Sequence, residues 1–360
     1  MTLPQKATWH FFKKLLQKHL NPSVVCVYPE IIDEAYFFRL LNEHRVELTL
    51  QPLLKSIAIP NHSLLEKLQK RCQSLVYKEA LQQQKALFSM IDIFAQHHIP
   101  CVVLKGLPLN QQLYGDQAVR RSADIDILID QTHLLLANTC LNKIGFYSGK
   151  NRHGVSNIEF FQALPARYQK YLKDLPYWDK AKAIHLELHF KARDAEVSKM
   201  LTERALTTMR IKGHAVQVMR AEENFLFLCW HGSKHHWMRL QWLIDLGIFY
   251  QKIPLDWDLL WSLAKKQDGM RAVLEAKQLL QKEFGIILPA FSGKVMDKLS
   301  LWLRRGFVLR QWSDYPENQN RLLWRLKTQV RRYYMAFFAY ETWKEKMDYC
   351  CVKWFVRQLH

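Results

Sequence analysis

The sequence predicts an α+β fold: a small mixed sheet flanked by N- and C-terminal helical regions. Three observations predict it. Apolar residues recur at helical spacing through residues 1–98, short β-branched or alternating runs take over in 99–220, and helical spacing returns in 221–360. Those switches of period set three regions: 1–98 helical, 99–220 α/β, and 221–360 helical.

In the first region, FFKKLLQKHL, EIIDEAYFFRLLNEHRVELTLQPLLKSI and the stretch from Ser63 to His98 each read as helix. Pro60-Asn61-His62-Ser63 reads as a turn with Ser63 as the N-cap of the next helix. The sheet begins at CVVLKG, a β-branched run ended by glycine, and continues in ADIDILID, where apolar and acidic residues alternate. LPLNQQLYG and THLLLANTCLNKIGF suit helices, the second ending at Gly145. SNIEFFQAL, AIHLELHF and HAVQVM are assigned as further strands. In the last region AEENFLFLCWHGSKHHWMRLQWLIDLGIFYQ is the strongest amphipathic stretch, and Pro254, Pro289 and Pro316 punctuate the remainder.

Composition narrows the class of function. With 49% hydrophobic and 12% aromatic residues over 360 positions, the chain can bury two or three ordinary cores and is not a disordered sequence. Lys and Arg number 52 against 33 acids, a net charge of +19, which favours anionic partners: nucleotide, nucleic acid or acidic lipid. The seven cysteines are scattered, with no CxxC pair, so a zinc ribbon is excluded and a reducing cytoplasm is expected. The N-terminal run is interrupted by lysines, and no stretch of 18 apolar residues occurs, so neither a signal peptide nor a transmembrane segment is expected.

The chemistry concentrates in the alternating strand. Period-2 alternation puts Asp124 and Asp126 on one face and Ile125, Ile127 and Ile129 on the other. Two carboxylates so spaced suit hard divalent cations of the kind phosphoryl transfer uses, although an edge strand with solvated acids gives the same pattern. Eighteen residues before Asp124, Gly106 ends a strand and opens a helix, a turn where backbone can approach phosphate and Lys105 adds a cation; a plain turn glycine is the alternative. In HLELH, His185, Glu187 and His189 share a face opposite Leu186 and Leu188. Glu187 can then serve as a third metal carboxylate or as general base, and a zinc triplet or a solvated polar face are the other readings. His231, Lys234 and His235 lie at i, i+3 and i+4, one helix face that could meet phosphates, with Asp245 placed to hold one of those bases. For Trp230, Trp237 and Trp242, core packing is preferred to base stacking.

Taken together, Lys105, Gly106, Leu113, Tyr114, Asp116, Arg121, Asp124 and Asp126, in LKGxxLxxxLYxDxxxRxxxDIDILI, resemble the uncharacterised nucleotidyltransferases related to DNA polymerase beta. HLELH and HxxKHxWxxLxWLxDL extend the resemblance over roughly 85–250, and Gly106-Leu107 stands where that superfamily usually has Gly-Ser or Gly-Gly. The resemblance implies a sheet of nucleotidyltransferase type and transfer of a nucleoside monophosphate from a nucleoside triphosphate to an acceptor hydroxyl, with release of pyrophosphate. It implies magnesium (or manganese) on Asp124, Asp126 and Glu187, with Lys105, Gly106, Arg121, His189, His231, Lys234 and His235 toward the nucleotide. The acceptor stays open among a protein, an RNA, a sugar and a small molecule. The contrasting reading is a catalytically inactive protein of the same fold that binds nucleic acid or another anionic partner. The last sixty residues, with 12 Lys or Arg against 5 acids and many aromatics, suit such a partner or an anionic membrane; a bundle with an aromatic core and solvated arginines is preferred.

Overall fold

The structure is a computed structural model that describes residues 1–291 except 58, 61, 76–78, 116–117, 151–153, 165–168, 170–171, 182 and 192–204. Asp116, Pro316 and the basic C-terminal sixty residues of the sequence reading lie outside the described residues. The strands are β1 (Cys101–Val103), β2 (Asp124–Ile129), β3 (Phe146–Ser148), β4 (Asp174–Asp179), β5 (His185–His189), β6 (Leu206–Ile211) and β7 (His214–Met219). They make a five-stranded sheet of order β1-β2-β5-β4-β3 and a separate hairpin, β6-β7. With helices before and after it, this is the α+β class read from the sequence.

The chain divides into two compact units, 1–91 with 102–125 and 201–314, and 92–101 with 126–200 and 315–360. The first is mainly helical: α1 (Leu3–Leu20), α2 (Glu34–His44), α3 (Glu47–Ser56), α4 (His62–Leu75), most of α5 (Leu81–Gln96), α6 (Leu107–Tyr114), α9 (Ala221–Lys234), α10 (Leu240–Lys252), α11 (Trp257–Lys266) and α12 (Met270–Phe284). Its core is one apolar cluster in which Phe12, Leu15, Phe37, Phe225, Leu243 and Phe249 are fully buried. α1 starts with a capping box, Thr2 accepting from Gln5 N–H while the Gln5 side chain returns to the Thr2 amide. The long helix expected over 30–57 breaks at Arg45, whose left-handed backbone (φ 57°) ends α2. α4 begins at His62, so Ser63 is already helical and is not the N-cap.

The second unit holds α7 (Leu134–Lys143), α8 (Asn157–Ala163), β3, β4, β5 and β2 from Asp126 onward. β3, β4 and β5 are antiparallel neighbours, with Asp174 opposite His189, Pro176 opposite Glu187 and Trp178 opposite His185. SNIEFFQAL, expected as a strand, is the helix α8. Ser156 and Glu159 form a reciprocal capping box there, and the buried Asn157, Ile158 and Phe161 fall at helical, not alternating, spacing. Among the described residues no helix is long and apolar enough to cross a membrane.

Candidate active site

β5 buries Leu186 and Leu188 completely and turns His185, Glu187 and His189 the other way. Cross-strand register sets Asp174 beside His189, whose Nδ1 lies 3.7 Å from Asp174 Oδ2. On its other edge His189 Nε2 lies 3.1 Å from Asp126 Oδ1 and 3.5 Å from Glu187 Oε2. Burial pulls the His189 pKa down, but the hydrogen-bonding carboxylates of Asp126 and Glu187, reinforced by Asp174, outweigh burial and raise it to about 9. These carboxylates favour the protonated ring, and a cation that took up their charge would release the proton. Asp126, only 2% exposed, Glu187 and His189 each offer one ligand atom, all within 4.8 Å of one another. His185 belongs to a second such group, which shares Glu187, and its ring stacks on Trp178 at 4.8 Å.

In the first unit, β1 runs into Lys105 and Gly106, and Gly106 opens α6 with φ 76° and ψ −123°, a backbone only glycine adopts readily. Lys105 is 8% exposed and its Nζ lies 3.9 Å from Asp124 Oδ1. Ser122 stands next to this turn: its hydroxyl donates to the Asp124 carbonyl at 3.0 Å, and a Cβ built on Gly106 would come within 3.6 Å of it. The turn, Asp124, Arg120 and Arg121 line one hollow floored by Leu87 and Val103.

In LKGxxLxxxLYxDxxxRxxxDIDILI the arginine falls on Arg120, not on Arg121 as expected. The two arginines have different surroundings. Arg120 is buried and its Nε donates to Asp245 Oδ2 at 2.7 Å. Asp245 also accepts from Gln241 at 2.7 Å and from the Tyr114 hydroxyl at 3.3 Å. Its partners are thus Arg120, Gln241 and Tyr114, not the His231, Lys234 and His235 group that the sequence suggested. Arg121 gives a two-pronged bond to Glu79, at 2.8 and 2.9 Å, and a further one to Asn42 at 2.9 Å.

Residues 31–285 match the family described as uncharacterised nucleotidyltransferase. The chain belongs to that family. This nucleotidyltransferase has no match among curated proteins. Two solved structures are similar to it. One is the antibiotic-resistance factor ANT(2'')-Ia, at 11% identity over 54% of this chain and 96% of that one, with a TM-score of 0.38. The other is an antigenic nucleotidyltransferase-like protein from Paracoccidioides brasiliensis, at 15% identity over 59% of this chain and 96% of that one, with a TM-score of 0.35.

In the nucleotidyltransferase, α9 ends at Lys234, so His235 is its C-cap residue and the helix expected through 221–251 is two helices, α9 and α10. His231 and His235 do come together, their ring centroids 4.8 Å apart, and His231 packs edge-on against Trp242 at 4.9 Å. Burial first, and the charge of Lys105 second, hold the His231 pKa well below 6.5, so this imidazole is neutral. It can donate or accept one hydrogen bond toward a substrate but brings no positive charge. Lys234 is exposed. Trp237 is buried, as the core reading had it.

Two residues outside every motif join these surroundings. Arg45, at the end of α2, and Arg239, at the start of α10, both feel the charge of Asp124 and of Arg120 and Arg121. No sequence signal singles them out: one sits in a helix break and the other is the extended N-cap residue of α10, about two hundred residues apart.

Proposed function

We propose that this protein moves a nucleoside monophosphate group from a nucleoside triphosphate to an acceptor hydroxyl and releases pyrophosphate, in a reaction that depends on magnesium or manganese. The observation that carries the reading is the convergence within 4.8 Å of ligand atoms from Asp126, on the strand that also bears Asp124, and from Glu187 and His189 on β5. The donor set fits the ion: mainly carboxylate oxygen, as hard divalent cations prefer, with Asp126 2% exposed and so shielded from competing water. Asp124, Asp126 and Glu187 would hold it, and when bound it would neutralise charge on the phosphates and on the leaving pyrophosphate.

The chain's own groups divide the remaining work. The Gly106 turn lets the α6 amides approach phosphate, and Lys105 supplies a point charge beside them. Ser122, adjacent to Gly106, offers a hydroxyl beside a turn where the wider superfamily usually has Gly-Ser or Gly-Gly. Glu187, about one-third exposed, is placed to accept the proton of the attacking hydroxyl, while His189 orients it through the 3.5 Å contact. The acceptor class remains a protein, an RNA, a sugar or a small molecule.

Labelled nucleotides test the reading. With α-labelled triphosphates and an extract as acceptor pool, the wild type should pass label to acceptor with matching release of pyrophosphate, γ-label should not transfer, and the Asp124→Asn, Asp126→Asn double variant should do neither. Transfer of γ-label would make the enzyme a kinase and end this reading, and equal transfer by the double variant would end the site assignment.

A further inference from the structure

Arg45 and Arg239 are brought together by a specific bond. His44, buried and stacked on Phe12 with ring centroids 5.6 Å apart, accepts the Leu240 N–H on its Nδ1 at 3.3 Å. The residues flanking that bond are Arg45 on one side and Arg239 on the other. A second tie, Thr49 Oγ1 to Gln241 Oε1 at 2.9 Å, repeats the pairing further along α3 and α10, and the same hydroxyl reaches the Val119 carbonyl at 3.3 Å. Three segments, 44–49, 119–124 and 239–245, are therefore fixed against one another within the first unit.

Both side chains are held at some cost. Arg45 keeps a left-handed backbone (φ 57°, ψ 37°), strained for a residue other than glycine. Arg239 lies over the Trp242 ring, its Cζ 5.4 Å from the centroid, a contact that uses the face of the guanidinium and not its N–H edge. Among the described residues neither guanidinium has a carboxylate within ion-pair distance, whereas Arg120 has Asp245 and Arg121 has Glu79. Burial lowers the pKa of Arg45 to about 10, with repulsion from Arg239 adding to it, and burial likewise lowers that of Arg239. Asp124 is the carboxylate whose field reaches both. If Asp124 binds a cation, as proposed above, the pair is left without an anion.

We propose that Arg45 and Arg239 form a phosphate clamp, a binding site outside the Lys105-Gly106 turn and the aspartate strand. Two planar guanidinium forks carried on tied segments match the oxygens of a phosphate group, which a pair of lysines would not. The phosphate comes either from the terminal phosphates of the nucleoside triphosphate or from a phosphorylated acceptor. The clamp deepens the nucleotidyl-transfer reading and names a phosphate-bearing substrate group for it.

The test is titration calorimetry with magnesium on the full chain, comparing wild type with the Arg45→Gln, Arg239→Gln double variant, after thermal melts show both folded. One arm titrates inorganic tripolyphosphate and each of the four nucleoside triphosphates into free protein. The other titrates inorganic phosphate into protein saturated with nucleoside triphosphate. A loss of ten-fold or more in the first arm assigns the clamp to the triphosphate, and a loss confined to the second assigns it to the acceptor. Unchanged affinity in both arms, or a wild type that binds none of these phosphates, overturns the clamp. A wild type that binds tripolyphosphate through the pair but no nucleoside triphosphate keeps the clamp and removes the nucleotidyl-transfer reading. If the glutamine variant fails to fold, Arg45→Lys with Arg239→Lys keeps both charges but not the forks; it should weaken the same arm several-fold, and unchanged binding overturns the clamp.

Discussion

Replacing Asp245 with asparagine isolates the charge of one buried pair. Arg120 and Asp245 have side chains 6% and 1% exposed, joined at 2.7 Å. Asparagine keeps the Oδ1 that accepts from Gln241 at 2.7 Å and from Tyr114 at 3.3 Å, and Tyr114 stays a donor because burial pushes its pKa well above 10. What changes is the group facing Arg120 Nε: an amide N–H₂ replaces a carboxylate oxygen, and a buried guanidinium loses its counter-charge. Breaking a buried pair by removing one partner costs about 3–5 kcal/mol, which corresponds to a fall in Tm on the order of 10 °C. Equilibrium urea denaturation of wild type and Asp245→Asn measures it. The Arg120→Met, Asp245→Leu double variant should lose less than the single variant, because no unpaired charge remains buried. A cost under about 1 kcal/mol for Asp245→Asn, or a double variant worse than the single one, would refute the claim that charge pairing holds this network.

Asp126→Asn and Glu187→Gln should each lower metal-dependent transfer by about 100-fold or more, read by initial rates against magnesium. Gly232→Ala should destabilise by about 1–3 kcal/mol or more, since the added methyl would collide with the buried Trp237 indole; the same denaturation assay reads it. Gly106→Ala meets no such collision, its nearest neighbour being 3.6 Å away, so its cost of about 1–3 kcal/mol comes from φ 76° alone. His19 carries a pH dependence. Burial, helped by Lys252, lowers its pKa to about 4 against 6.5 unfolded, so unfolding takes up a proton below pH 6.5. Its contribution is complete above pH 6.5 and is lost as pH falls toward 4. His19→Gln should therefore lose roughly 2–3 kcal/mol less than wild type between pH 7.5 and 4.5.

Much of the site was legible because local pattern carries it. Alternation placed Glu187 with His189, and the β5 burial pattern repeats it residue by residue, whereas β2, read as half-buried, is buried from Ile125 to Ile129. The Gly106 turn was legible from a glycine between a β-branched run and a helical one. The mistake at 156–163 was avoidable, since Ser-x-x-Glu is a capping-box signature and outweighs an apolar run of that length. β4 was missed for a physical reason: Pro176 inside it argues against a central strand, yet β3 and β5 flank it on both sides. Arg45 and Arg239 were illegible, because only the His44–Leu240 and Thr49–Gln241 bonds bring their segments together. The neutral state of His231 was equally hidden, being set by burial and by the charge of Lys105 from a distant segment.

The most direct measurement of the central claim is calorimetric binding of the four ribonucleoside triphosphates, with and without magnesium, to wild type and to the Asp124→Asn, Asp126→Asn variant. The account predicts magnesium-dependent binding of at least one nucleotide that disappears in the variant. Binding that ignores magnesium, or that survives in the variant, would contradict the assignment of the aspartate strand as the metal-nucleotide site.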